Sequence, residues 1–337
     1  MKYRAIFQAS VLTLTFTALL SAQAPAPKSS SKNWIVPRTP DGKPDLQGIW
    51  TNATITPMER PANFAGKPTL TDTEAAAYEK AVHDGLVAQD GQTEGPLLAA
   101  AGSSGTGGYN FLFVDMGDQL ARVDGVKRTS LIIDPPDGRV PAVTPAARQR
   151  GGRDANGYGL GNFDSVKNRP LSERCLVGFG STSGPPMLPV LYNNTYQIVQ
   201  TPDAVMILVE MIHDARIIRI NGTHAPATVR QWYGDSIGHW EGDTLVVDTT
   251  NFTDRTRFRG SSENLHVIER FSRGDQNSIL YRVTIDDPTT FSKAWTMEYP
   301  FVATKGPVYE YGCHEGNYSM TDILGGARKA DAEKAKK

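Results

Sequence analysis

The chain holds only two cysteines, Cys175 and Cys313, among its 337 residues. That excludes a disulfide-dense scaffold and the repeated cysteine pairs of a structural zinc site. An even count in an oxidising compartment fits one disulfide closing a long loop. It also argues against a cysteine nucleophile, which must stay reduced. No Gly-x-Ser-x-Gly elbow occurs. The run GSSGTGG lacks the Lys-Ser/Thr ending of a phosphate-binding loop, and the other glycine runs miss the dinucleotide spacing. His314-Glu315 opens like a zincin helix, but Tyr318 stands where the second histidine belongs. An excess of one charge is absent too, with 35 Lys+Arg against 36 Asp+Glu. Neither nucleic acid nor an anionic membrane surface is therefore an expected partner. Beyond the first residues, no stretch is apolar enough to span a bilayer.

The first two dozen residues, MKYRAIFQASVLTLTFTALLSAQA, pair Lys2 and Arg4 with an apolar run ending in small residues. This is the layout of a secretory signal peptide over 1–24, and it implies a periplasmic or secreted product. A Pro/Ser linker over 25–38 is expected to be disordered. Hydrophobic residues at 39%, with 32 Gly and 22 Pro, point to a loop-rich, mainly β protein.

Residues 39–189 read as one strand carrying Gly48 and Trp50, then a helix and long loops. TLTDTEAAAYEKAVHDGLVAQ is the clearest helix, with Thr71 and Glu74 spaced as a capping box. SLIIDPPDG gives a short strand and turn, and Thr144 can cap a short helix after it. From 190 the pattern changes to short strands rich in Val, Ile, Tyr, Phe and Trp: YQIVQ, AVMILVEM, ARIIRI, GHW, TLVVDTTNF, NLHVIERF, SILYRVTI and AWTMEYPFV. Short turns between them predict an antiparallel up-and-down meander, which with a C-terminal helix fills 190–325. A meander that long closes into a barrel to remove its edges. A C-terminal helix and a charged tail over 326–337 complete the reading.

The Gly48-Ile49-Trp50 strand, the meander and the terminal helix resemble the lipocalin, or calycin, plan. That resemblance implies a lipocalin-like barrel, with the N-terminal region capping or wrapping it. The phrases SLIIDPPDGRVP, GHWEGDTLVVDTTNF and YEYGCHEGNY also resemble a family of uncharacterised secreted bacterial proteins, which implies no activity.

Five places carry chemistry. MIHDARIIRI, read as a strand, alternates His213 against Asp214 and Arg216, giving either an outward ladder or a polar cluster inside the barrel. In NLHVIERF, Glu269 shares a face with Val267 and Phe271, opposite Tyr281 on the next strand. A carboxyl on an apolar wall suits a general acid, or else pairs with an arginine such as Arg270 or Arg282. In GHWEGDT, His239 sits at a hairpin that can face a barrel mouth. The last two places are SERCL and YEYGCHEGNY. If Cys175 bonds Cys313, Glu173 and Arg174 come close to Glu310, Tyr311, His314 and Glu315. Strand parity would set Glu310 beside His314, a carboxylate–histidine pair for acid/base work.

The catalytic candidates are thus His314, Glu310, Glu269, His213 and Arg174. The substrate-binding candidates are Arg216, Asp214, Tyr311, Glu315, His239 and Tyr281. They support a cofactor-free lyase, hydrolase or isomerase acting on a small molecule or oligosaccharide in the barrel mouth. A non-catalytic carrier using the same barrel is the alternative. A divalent-metal enzyme using His213, Asp214, His314 and Glu315 is the third reading, although no spacing supports it.

Overall fold

The computed structural model describes residues 34–88, 114–150, 163–178, 181–255, 258–261, 263–315 and 317–336. The expected leader over 1–24, most of the expected linker and the glycine-rich runs after 89 and 151 lie outside them.

Thirteen strands are described. The first five come from the N-terminal half: β1 (Gly48–Thr51), β2 (Thr69–Leu70), β3 (Arg122–Val123), β4 (Val126–Arg128) and β5 (Ile132–Asp134). The rest are β6 (Thr195–Gln200), β7 (Ala204–Val209), β8 (Ala215–Ile220), β9 (Asp235–Glu241), β10 (Thr244–Thr250), β11 (His266–Asp275), β12 (Ser278–Asp286) and β13 (Trp295–Ala303). All eight strands expected after 190 are present. With β1 they follow in the order β1-β6-β7-β8-β9-β10-β11-β12-β13, and β1 closes the ring by pairing with β13. The result is a nine-stranded, lipocalin-like barrel, with β5 added on the edge of β13.

One seam departs from the antiparallel meander. β8 and β9 run parallel, with Arg219 opposite Ile237 and Ile220 opposite Gly238. The connection 221–234 is long enough to carry the chain back along the barrel, as a parallel pair requires.

Alternation fills the inside. β12 buries Ile279, Tyr281, Val283 and Ile285, and β13 buries Trp295, Met297, Tyr299 and Phe301. Tyr281 meets Phe271, Tyr299 and Phe301 at centroid distances of 5.0, 5.2 and 5.1 Å. Each fully buried large apolar side chain contributes roughly 1.5–3 kcal/mol. The segment around Met187 closes one end. Its N–H donates to the Tyr281 hydroxyl (3.3 Å), and its carbonyl accepts from Tyr299 Oη (2.7 Å) and Asn52 Nδ2 (2.9 Å).

Gly48 and Trp50 have a shared explanation. Gly48 adopts φ +135, and a Cβ there would stand 3.4 Å from the Trp50 indole nitrogen. The indole donates to the Leu46 carbonyl (3.0 Å) and lies 5.0 Å from the Arg273 guanidinium. The contact alone would tolerate a side chain, but the backbone at φ +135 is one that glycine adopts without strain.

Helix α1 (Asp72–Ala88) begins with the expected capping box. Thr71 Oγ1 accepts from the Glu74 N–H (3.3 Å), and Glu74 Oε2 accepts from the Thr71 N–H (3.0 Å). A second small core of Ile55, Leu70, Ala75 and Leu120 anchors it beside the sheet β2-β4-β3. Thr144 caps α2 (Pro145–Arg150) through the Ala147 N–H (3.1 Å). Helix α3 (Ser319–Lys334) runs through most of the expected charged tail. Among the described residues, no helix is long and apolar enough to cross a membrane.

Candidate functional site

Arg216 and Glu269 meet inside the barrel. Arg216 Nη1 donates to Glu269 Oε1 at 2.9 Å, and Nη2 donates to the other carboxylate oxygen, a bidentate pair. Ser236 and Thr249 accept from the same guanidinium, and Tyr281 Oη donates to Glu269 Oε1 at 2.8 Å. The inward placement of Glu269 and Tyr281 is as expected, but the arginine is Arg216. Arg270 instead pairs with Glu241 (2.6 Å), and Arg282 with Glu298 (2.5 Å), on the outer wall. Burial first, then the Glu269 charge, pushes the Tyr281 hydroxyl well above its ordinary value. The side chains of Arg216 and Glu269 are 4% and 0% exposed, so this pair is closed off from solvent.

His213 and Asp214 do not lie in a strand. They belong to a turn between β7 and β8, where Ile212 and His213 take φ +66 and +50. His213 is exposed and lies apart from Arg216's inward face. The strand reading fails because Glu210 ends β7. Its buried carboxylate accepts the Thr195 and Tyr309 N–H groups, both at 3.1 Å, and ties the turn to the C-terminal segment.

The Cys175–Cys313 disulfide is present and brings 173–175 against 313–317. Asn317 Nδ2 donates to the Glu173 carbonyl at 3.0 Å. Yet 309–315 is loop and turn, so the strand parity expected for Glu310 and His314 does not apply. Glu310, His314 and Glu315 are exposed, and no hydrogen bond or ion pair joins them to one another or to Arg174. Glu173 is held instead by Arg169 (2.8 Å), while Arg174 Nη1 is buried without a partner among the described residues. Tyr311 packs on the core. His239 lies on the outer wall beside Glu241 (3.1 Å), away from the interior.

A chain of ionisable groups, none of them in the expected set, runs across the outer face of β8 to β12. Arg219 Nη2 donates to Asp235 Oδ1 (2.8 Å), and Asp235 Oδ2 faces His224 Nδ1 (3.0 Å). His224 Nε2 faces Asp248 Oδ1 (2.9 Å), and Asp248 Oδ2 faces His266 Nε2 (2.8 Å). Asp286 stands opposite His266 in the β11–β12 register. The second ring nitrogen of His266, Nδ1, has no partner among the described residues. Nor has the Asp286 carboxylate a hydrogen bond or ion pair there.

The electrostatics run in one direction. The hydrogen bond to Asp248 raises the His266 imidazole above its ordinary value against burial, aided by the charges of Asp248 and Asp286. The same bond holds the Asp248 carboxyl below its ordinary range, again against burial, with help from His224. Burial pushes Asp235 up, but the Ala225 N–H, His224 and Arg219 outweigh it and hold that carboxyl low. His266 is thus a partly exposed imidazole with one nitrogen anchored on a carboxylate and the other open. That is the arrangement of a general acid or base.

No family model, curated protein or solved structure matches the chain. Among the described residues, no three His, Cys, Asp or Glu side chains are grouped so as to hold a metal ion. His213, Asp214, His314 and Glu315 form no such group.

Part of the outer chain was readable. Asp248 interrupts the apolar run TLVV, and His266 alternates away from Glu269 on the next strand, so hairpin order puts both on one outer face. His224 and Asp235 join through the parallel crossover, which no local signal announces.

Proposed function

We propose that the protein is a secreted or periplasmic acid/base enzyme acting on a polar small molecule or carbohydrate. The reaction is of the lyase, hydrolase or isomerase kind. The observation that carries this reading is the open Nδ1 of His266, whose Nε2 is fixed at 2.8 Å on Asp248. His266 donates or takes the substrate proton at Nδ1, and Asp286 across the strand serves as its counterpart. Asp248 holds the ring in place and favours its protonated form. His224 and Asp235 hold Asp248 in turn, as an outer layer of hydrogen bonds orients a catalytic group. Proton transfer between two such groups requires no organic cofactor. The disulfide fits an oxidising compartment, which supports the location.

The test is a screen of the wild-type protein against neutral and acidic oligosaccharides and small esters, with products followed by mass spectrometry. Any turnover found should fall by about a hundredfold or more in His266→Ala, the usual loss for a missing acid or base. Unchanged turnover in folded His266→Ala would refute the assignment.

A further inference from the structure

A second site lies away from the histidine chain, under the Pro135–Gly138 turn. A cavity of about 450 Å³ opens there, lined among others by Arg60, Arg139, Asp137, Pro61, Pro68 and Pro136. Its volume falls within the range of small-molecule sites, roughly 300–1,000 Å³.

Arg60 is only 4% exposed, yet no carboxylate pairs with it among the described residues. Its guanidinium is fixed by neutral acceptors alone. Nε donates to Thr129 Oγ1 (3.1 Å), Nη2 to Ser130 Oγ (3.3 Å) and Nη1 to the Pro136 carbonyl (2.7 Å). An arginine has five N–H donors, so two are left without a partner among the described residues, on a side chain that lines the cavity. Gly138, at φ +71, presses the turn onto this arginine. A Cβ there would fall 2.7 Å from Ser130 Oγ and 2.9 Å from Arg60 Cβ. Burial lowers the Arg60 pKa, and the nearby Asp137 offsets part of that.

A buried cation with no carboxylate in direct contact is costly, since Asp137 offsets only part of that cost, and an incoming anion relieves the rest. Arg139, ion-paired with Glu59 at 3.9 Å, adds a second, half-exposed guanidinium on the same lining. Three prolines supply flat aliphatic surface. Gly66 leaves space, with nothing within 4 Å of where its Cβ would stand.

We propose that this cavity binds a small organic carboxylate with a ring-shaped body, the carboxylate meeting Arg60 and Arg139 and the ring lying on the prolines. Both a sugar acid and an aromatic acid have that chemistry.

The experiment titrates the full chain with sodium glucuronate, sodium benzoate and glucose while following the amide signals of Gly66 and Gly138. Saturable shifts are expected with at least one carboxylate, and weaker or none with glucose. Stronger binding of glucuronate would identify a sugar-acid site, and stronger binding of benzoate an aromatic-acid site. Arg139→Gln, a surface change that leaves the fold intact, should weaken binding about tenfold or more, as loss of a charge-assisted hydrogen bond does. Arg60→Lys, checked for native circular dichroism, should weaken it likewise, because an ammonium cannot reproduce the fixed fork. No saturable shift with either acid, unchanged affinity in Arg139→Gln, or glucose binding as tightly as the acids would overturn the proposal.

Discussion

His266 and Glu269 sit three positions apart on β11 and have opposite fates. Glu269 faces inward, is fully buried and is matched by Arg216. Glu269→Gln should leave that guanidinium buried and unpaired, destabilising the fold by about 3–5 kcal/mol. Replacing both residues, as Arg216→Met with Glu269→Leu, should destabilise by clearly less. Urea midpoints of the three proteins give the comparison, and a double variant worse than the single one would contradict the buried-pair account.

His266 faces outward and titrates. Its raised pKa adds stability that is complete below the ordinary imidazole value and fades as pH rises through the folded one. Asp248 and Asp235 have lowered values. They add stability above the ordinary carboxylate range, and lose it as pH falls through their folded values. Stability should therefore peak between the two limits. His266→Ala should flatten the alkaline limb and, by removing the bond that holds Asp248 low, weaken the acid limb as well, as read from chemical melts taken at a series of pH values. An alkaline limb unchanged in that variant would remove His266 from the linkage.

Single strands and the main helix announce themselves because their signals are local. Period-two alternation places Tyr281, Val283 and Ile285 inward, and Thr71 with Glu74 starts α1 where a capping box requires. The turn at 211–214 is hidden because MIHD continues the apolar text of β7, and only the buried Glu210 carboxylate marks the break. YEYGCHEGNY misleads in a similar way. Its cysteine forms the expected staple, but its residues do not form a strand, so the Glu310–His314 pairing drawn from alternation has no basis. The disulfide spans 138 residues of sequence. Replacing both cysteines by serine should cost about 4 kcal/mol by the loop-closure estimate. Thermal melting of that variant beside the wild type checks this, and an unchanged melting temperature would mean the loop is already constrained.

For the molecule as a whole, the consequential departure is the parallel β8–β9 seam. A pure meander would leave the 221–234 segment as a turn, whereas the crossover sends it back along the barrel and lays His224 between Asp235 and Asp248. Closing the ring puts the aromatics and the Arg216–Glu269 pair in a filled interior. The partly exposed ionisable groups Asp248 and His266 converge instead on the outer wall. Side-chain alternation made the barrel legible, but which residues meet across a crossover depends on the tertiary path.

The most direct measurement compares turnover per folded molecule of His266→Ala and His314→Ala with the wild type on one substrate, alongside their melting temperatures. The outer-wall assignment requires His266→Ala to lose about a hundredfold or more while His314→Ala stays near wild type. A fully active His266→Ala, or a folded His314→Ala that loses its activity, would contradict it.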